Sequence, residues 1–303
     1  MCQLLGMSSS ASAAITFSFT GFAQRGGRTD DHADGWGIAF YERSGCRVFL
    51  DDQPACNSPL AEFVSRYPIK SKIVLAHIRK ATQGEPKLSN SHPFQREWMG
   101  QPWIFATNGD LRGFHPVLRG PFLPVGSTDS ERAFCWLLQE LRTSFAGHPH
   151  PPGWLELAPR VAELTALIAR HGNFNFLLSN GEGLYAHCSS RLVVLERRHP
   201  FPTARLVDCD MSLDLSAVNR RDDRMVVVAT AALTAEEHWT PLATGESRLF
   251  VDGEQVWGHR DLGTRVFPVP QVHVGRGRVA ASAERAGVGG SGGSGGDGPA
   301  LVR

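Results

Sequence analysis

A cysteine directly behind an initiator methionine is the first place in this chain where chemistry could gather. Once Met1 is removed, Cys2 carries a thiol and a free α-amine on one residue. A thiolate is a strong nucleophile, and an α-amine with an intrinsic pKa near ~8 can take a proton close to neutrality. One residue would then supply both nucleophile and base. Taken alone, the plainer reading of Cys2 is an inert thiol.

Further positions offer partners to such a nucleophile. Arg79 ends the β-branched run Lys72 to Ile78, where a guanidinium fork suits a carboxylate because two parallel N–H bonds fix its plane. Thr82 follows in the next loop, and His92 lies in Asn90-Ser-His-Pro-Phe94. Asn108 and Gly109 come after the apolar run Trp103 to Thr107. A side-chain amide beside a glycine N–H gives two donors that can converge on one oxygen, the plan of an oxyanion hole. Asp129, in Ser127-Thr-Asp-Ser-Glu131, could bind an ammonium group. Each has a structural alternative: a surface ion pair for Arg79, a core position for His92, a type I′ turn for Asn108-Gly109. Thr128 or Asp129 could simply cap a helix, with Glu131 completing the arrangement. Asp30, Asp31, His32 and Asp34 could be read as metal ligands. A polar loop is the better reading, because compact ligand sets need a defined turn pattern.

Several elements must position these residues. Leu4-Leu5 reads as a buried strand start, and Ala13, Ala14, Phe17 and Phe22 suggest a helix from about Ser10 to Phe22. Gly35 to Glu42 and Cys46 to Leu50 form a hairpin through Ser44-Gly45. Pro59 to Tyr67 is a short amphipathic helix with proline in its first turn. In the run to Ile78, His77 and Arg79 share one face while Ala76 and Ile78 share the other. Helices follow Thr128-Asp129 and span Trp154 to Ala169. Short strands then occupy Asn175 to Ser179, Leu184 to Cys188, Leu192 to Leu195 and Met225 to Ala229, with a hairpin from Arg248 to Trp257. Asn180-Gly181 and Asp252-Gly253 are turn signals. Blocks of this kind indicate an antiparallel α+β architecture.

Composition narrows the function classes. The 303 residues carry a net charge of +1 and are 42% hydrophobic, giving no electrostatic case for nucleic acid or an anionic membrane. Six scattered cysteines without a C-x-x-C pair argue against a zinc ribbon or a disulfide scaffold and for a reducing cytoplasm. No run is apolar enough to cross a membrane, and no basic segment precedes Ala11 to Ala23 as a signal peptide requires. Neither G-x-G-x-x-G nor a Walker sequence occurs, so no nucleotide site and no cofactor are expected. The folded domain is expected over residues 2–258. An extension, 259–303, follows; it is glycine-rich and expected to be disordered from about residue 283.

Five motifs fall in a fixed order: Cys2, Arg79-x-x-Thr82, His92-Pro-Phe, Asn108-Gly109 and Thr128-Asp129-Ser-Glu131. Together they resemble the class II, N-terminal nucleophile (Ntn) glutamine amidotransferases. Met-Cys-x-Leu-Leu-Gly-Met, Asp34-Gly-Trp-Gly37 and Glu131-x-Ala-Phe-Cys-Trp-Leu-Leu138 are similar to the stand-alone members. The resemblance implies a four-layer αββα sandwich of two antiparallel sheets. It implies Cys2 as nucleophile on a glutamine side-chain amide and Asn108 with Gly109 as oxyanion hole. Arg79, Thr82, Asp129 and His92 are then the substrate-binding candidates. It implies a γ-glutamyl thioester, with ammonia released or passed to a separate synthase; γ-glutamyl conjugates remain an open substrate class. Lys80 departs from the family's aromatic residue after the arginine. A catalytically silent binding module is the alternative, and a metal hydrolase using His32 ranks last.

Overall fold

The computed structural model describes residues 2–43, 45–82 and 84–262; Met1 and the expected disordered segment lie outside them. In chain order the elements are β1 (Gln3–Ala14), α1 (Thr16–Gln24), β2 (Trp36–Glu42), β3 (Gly45–Asp51), α2 (Pro59–Arg66) and β4 (Lys70–Ile78). Then come β5 (Phe94–Trp98), β6 (Gln101–Leu111), α3 (Asp129–Ser144), α4 (Trp154–Ile168), β7 (Gly172–Ser179) and β8 (Leu184–Cys188). The remainder is strand: β9 (Val193–Arg198), β10 (Thr203–Arg205), β11 (Ser212–Asp214), β12 (Arg224–Ala229), β13 (Thr240–Pro241), β14 (Glu246–Val251) and β15 (Glu254–Arg260).

Alternation along the strands decides how these elements stack. On β4, Val74, Ala76 and Ile78 join one apolar cluster, whereas Ile73 and Leu75 join another. A strand buried on both faces needs a layer on each side. One sheet has seven strands in the order β13-β9-β12-β1-β4-β2-β3, and the other has six, β15-β14-β8-β7-β6-β5. Neighbours in both pair antiparallel. Leu4, Ala39 and Leu75 of the first sheet meet Ile104, Ala106 and Leu177 of the second in the inner layer. Phe19 and Phe22 of α1 and Val64 of α2 cover the outer face of the first sheet, against Leu5, Trp36 and Val74. Phe134 and Leu138 of α3 and Leu157 and Val161 of α4 cover the second, against Trp103, Phe105 and Phe176. The fold is the expected α+β sandwich with layers αββα.

Two local expectations are corrected. No helix starts near Ser10. β1 runs to Ala14, because β12 pairs with it as far as Ser9↔Met225 and β4 takes it up again at Ala13↔Ser71 and Ala14↔Lys70 after a register shift. Ladders on both sides outweigh the helical spacing of the alanines. The second correction concerns Asn108-Gly109, which neither ends a strand nor makes a turn. β6 continues through both to Leu111, since β7 supplies partners in Asn108↔Asn175 and Gly109↔Phe174. The turn signal at Asp252-Gly253 is real: φ is 47° and 73°, the double positive value that a type I′ hairpin requires.

Candidate active site

Period-two parity gathers the chemistry-bearing residues into one layer. Leu4, Leu75 and Ala106 lie between the sheets, and side chains two positions apart share a face. Cys2, His77, Arg79 and Asn108 therefore belong to the inner faces. Gln3 pairs with Ile78, which sets the start of β1 beside the end of β4.

The Cys2 thiol donates to the Lys80 carbonyl and accepts the Lys80 N–H, each at 3.3 Å. Burial pushes its pKa up, against the pull of the Lys80 N–H and the Arg79 charge. Arg79 is buried, and its guanidinium donates to the carbonyls of Gly84 at 2.9 Å, Glu85 at 3.2 Å and Asp34 at 3.5 Å. It thus anchors the loop that follows it, on which Thr82 is exposed. Asp34 docks on the same stretch, accepting the Ala81 N–H at 2.7 Å. The Lys80 ammonium lies 2.6 Å from Asp31, an exposed pair on the residue whose backbone bonds Cys2.

Ligand-type atoms of Asp30, Asp31 and His32 lie within 4.8 Å of one another. Their partners are protein groups: Asp30 accepts from Gln3 at 3.2 Å and sits 3.0 Å from His32, while Asp31 holds Lys80. This favours the polar-loop reading, with the loop strapping the start of β1 to the end of β4.

On the second sheet Asn108 is 1% exposed, and its Nδ2 has no hydrogen-bond partner among the described residues. An unmet buried donor costs about 1–3 kcal/mol. A bound oxygen would satisfy it. At Gly109 a Cβ would stand 2.4 Å from the Asn173 carbonyl, so close backbone approach demands glycine there. His92 is buried, and its Nδ1 accepts the Thr107 N–H at 3.5 Å. Burial, and then the Arg79 charge, push its pKa down to about 3.

Thr128 is the N-cap of α3, accepting the Glu131 N–H at 3.2 Å. Glu131 does not complete a cap, as the sequence suggested. It accepts the Val125 and Gly126 N–H groups at 3.0 and 2.7 Å and pairs with Arg96 of β5 at 2.5 Å. Asp129 accepts the Leu111 N–H at 2.6 Å and the Ser130 N–H at 2.8 Å, tying α3 to the end of β6. Burial raises its pKa against both bonds.

Three residues matter here that the sequence did not single out for a role. Asn90 donates to the Glu85 carbonyl at 2.9 Å and accepts the Ser127 N–H at 2.9 Å, joining the Arg79 loop to the entrance of α3. Asp34 supports the strand end beside Cys2, and His77 lies under His92 at a ring separation of 4.2 Å. Asn90 and Asp34 head segments the sequence did mark, Asn90-Ser-His-Pro-Phe94 and Asp34-Gly-Trp-Gly37, and His77 shares a face with Arg79, but none of these signals told what each side chain touches.

Comparison with known proteins agrees with this geometry. The family model for class II glutamine amidotransferases matches residues 1–266. The chain is 48% identical to the Escherichia coli protein YafJ, assigned as a glutamine amidotransferase, over 84% of this chain and all of that one. An assigned glutamine amidotransferase of Haemophilus influenzae is 45% identical over 84% of this chain and 86% of its own. Among solved structures, a Pseudomonas aeruginosa protein assigned by prediction to the same activity superposes with a TM-score of 0.66 at 40% identity, covering 84% of this chain and all of that one. Glutamine phosphoribosylpyrophosphate amidotransferase of Bacillus subtilis, at 14% identity, shares the fold, with a TM-score of 0.50 over 86% of this chain and 49% of that one. By sequence and by fold, the chain belongs to the class II glutamine amidotransferases.

Proposed function

We propose that the chain hydrolyses the side-chain amide of glutamine, or another γ-glutamyl amide, through a thioester on Cys2. Loss of Met1 frees the Cys2 α-amine. The amine takes the thiol proton as Sγ attacks the amide carbon. The oxyanion that forms is held by Asn108 Nδ2 and the Gly109 N–H. The C–N bond breaks as the same proton goes to the departing nitrogen, giving ammonia or an amine. Water then attacks the thioester, releasing glutamate and restoring the thiol. Arg79 takes the α-carboxylate in competition with its loop carbonyls, with Thr82 and His92 nearby, and Asp129 takes the α-ammonium. Ammonia is released or passed to a separate synthase. Six free cysteines suit work in a reducing cytoplasm.

The observation that carries this reading is the unmet Asn108 Nδ2, on the inner face shared by Cys2 parity. Its test is release of glutamate with ammonia from glutamine, and of glutamate with the matching amine from γ-glutamyl amides, by wild type and by Cys2→Ala. Equimolar products from wild type alone support it. Hydrolysis that survives in Cys2→Ala refutes it.

A further inference from the structure

None of these steps uses His77. It is fully buried on β4, opposite Leu4 of β1 on one side and Gly37 of β2 on the other. Neither ring nitrogen has a hydrogen-bond partner among the described residues. An apolar ring of similar shape would avoid the cost of those unmet groups. The imidazole is nevertheless held firmly. The His92 ring lies against it at 4.2 Å and 48°, and His92 in turn meets Phe94 edge-on at 4.3 Å. The motif Asp34-Gly-Trp-Gly37 makes room for this stack. A Cβ on Gly37 would stand 2.3 Å from the His92 carbonyl oxygen, and one on Gly35 would stand 2.8 Å from Ser91 Oγ.

The stack faces the place where β5 stops. The β5–β6 ladder runs from Trp98↔Gln101 to Phe94↔Phe105. Continued in the same register it would set residue 92 opposite Thr107, whose peptide has no β5 strand to pair with there. His92 Nδ1 accepts the Thr107 N–H instead, and the His77 ring backs the His92 ring from the other sheet. Thr107 directly precedes Asn108. His77 belongs to the strand that carries Arg79 and borders Cys2, whereas His92 precedes the strand that pairs with β6. The stack therefore couples the nucleophile's sheet to the oxyanion sheet.

We propose that His92 and His77 are positioning residues: His92 grips the Thr107 N–H in place of the missing strand, and the His77 ring packed against it holds His92 there, fixing Asn108 relative to Cys2. Burial keeps both rings neutral, the form with an acceptor nitrogen, and the neighbouring Arg79 charge reinforces it. With Nδ1 of His92 accepting, its proton sits on Nε2. This role rests on the oxyanion reading of Asn108 given above, but the grip itself can be measured without any chemistry.

His77→Phe and His92→Phe each keep a ring and remove its nitrogens; His92→Asn restores an acceptor near the Nδ1 position. In both phenylalanine variants kcat for glutamine should fall on the order of 10- to 100-fold with KM unchanged, the mark of misplacement rather than lost binding. Thermal midpoints should stay at the wild-type value. The Thr107 amide should exchange its proton faster in His92→Phe and regain protection in His92→Asn. A wild-type kcat in either phenylalanine variant would overturn the proposal, as would a loss carried by KM or one that follows a lowered thermal midpoint. Unchanged Thr107 exchange in His92→Phe would also overturn it. A wild type that hydrolyses no γ-glutamyl amide would defeat the function alone, and Thr107 exchange would then decide the grip.

Discussion

At the scale of single residues, the candidate site divides between a sheet that carries Cys2 and Arg79 at its edge and one that carries Asn108 and Gly109. Asn108 gives the sharpest expectation. On the proposed oxyanion role, Asn108→Ala removes a donor that meets its acceptor only in the tetrahedral state, so kcat should drop by about 10²–10³ while KM holds. Steady-state kinetics on glutamine would show it; a pure KM effect would make Asn108 a binding residue. Arg79 behaves differently, because its guanidinium already holds the Gly84 and Glu85 carbonyls. Arg79→Lys keeps the charge and loses the fork. KM for glutamine should rise about tenfold or more, against a small change for an amide lacking the α-carboxylate. Equal loss on both substrates would mean that Arg79 serves the loop alone. The sequence made Cys2 and Arg79 legible as candidates because each sits at the edge of an apolar strand run, and Asn108 because a side-chain amide stands beside a glycine after such a run. It did not expose His77 or Asn90, whose importance lies in what they touch across the fold.

At the scale of elements, one close approach and one buried pair hold the site's frame. A Cβ on Gly109 would stand 2.4 Å from the Asn173 carbonyl on β7. Gly109→Ala must push β6 off β7, and a loss of about 1–3 kcal/mol is expected from denaturant titration. An unchanged midpoint would show that β6 has slack at this point. Glu131 is 2% and Arg96 18% exposed as side chains, and Glu131 also takes two loop N–H groups. Glu131→Ala leaves that cation and both donors unmet, so about 3–5 kcal/mol should be lost. The same elements show where sequence reading works. The helices from Pro59 and Thr128 were legible through proline, cap and apolar spacing acting together. The segment Ser10 to Ala14 was not, because its spacing suits a helix and only β4, far off in the chain, pairs with it as strand, at Ala13 and Ala14. Asn108-Gly109 carries a local turn signal, and β7 overrides it in the same way.

At the scale of the whole molecule, burial of histidines links stability to pH. Burial holds His92 and His187 at a pKa of about 3 and His77 well below its ordinary value. In the unfolded chain each would take a proton near pH ~6.5. Below that pH the unfolded state binds more protons, so stability is full above it and declines as the pH falls toward the folded values. Each histidine contributes a slope of up to about 1.4 kcal/mol per pH unit. Urea midpoints should therefore fall steadily on acidification from neutrality, and a flat profile would contradict the burial described. The antiparallel α+β class was legible from the blocks of strands and helices, and the αββα layering from the family resemblance. Which residues would face one another across the inner layer was not, because parity fixes a face and not a partner. The account turns finally on Cys2, and the mass of the intact protein tests it most directly. Wild type and Cys2→Ala would be weighed before and after incubation with a diazoketone analogue of glutamine. Wild type should lack Met1 and gain a single adduct that Cys2→Ala does not form. A processed wild type that takes no adduct, or an equal adduct on Cys2→Ala, would contradict a glutamine-directed nucleophile at Cys2.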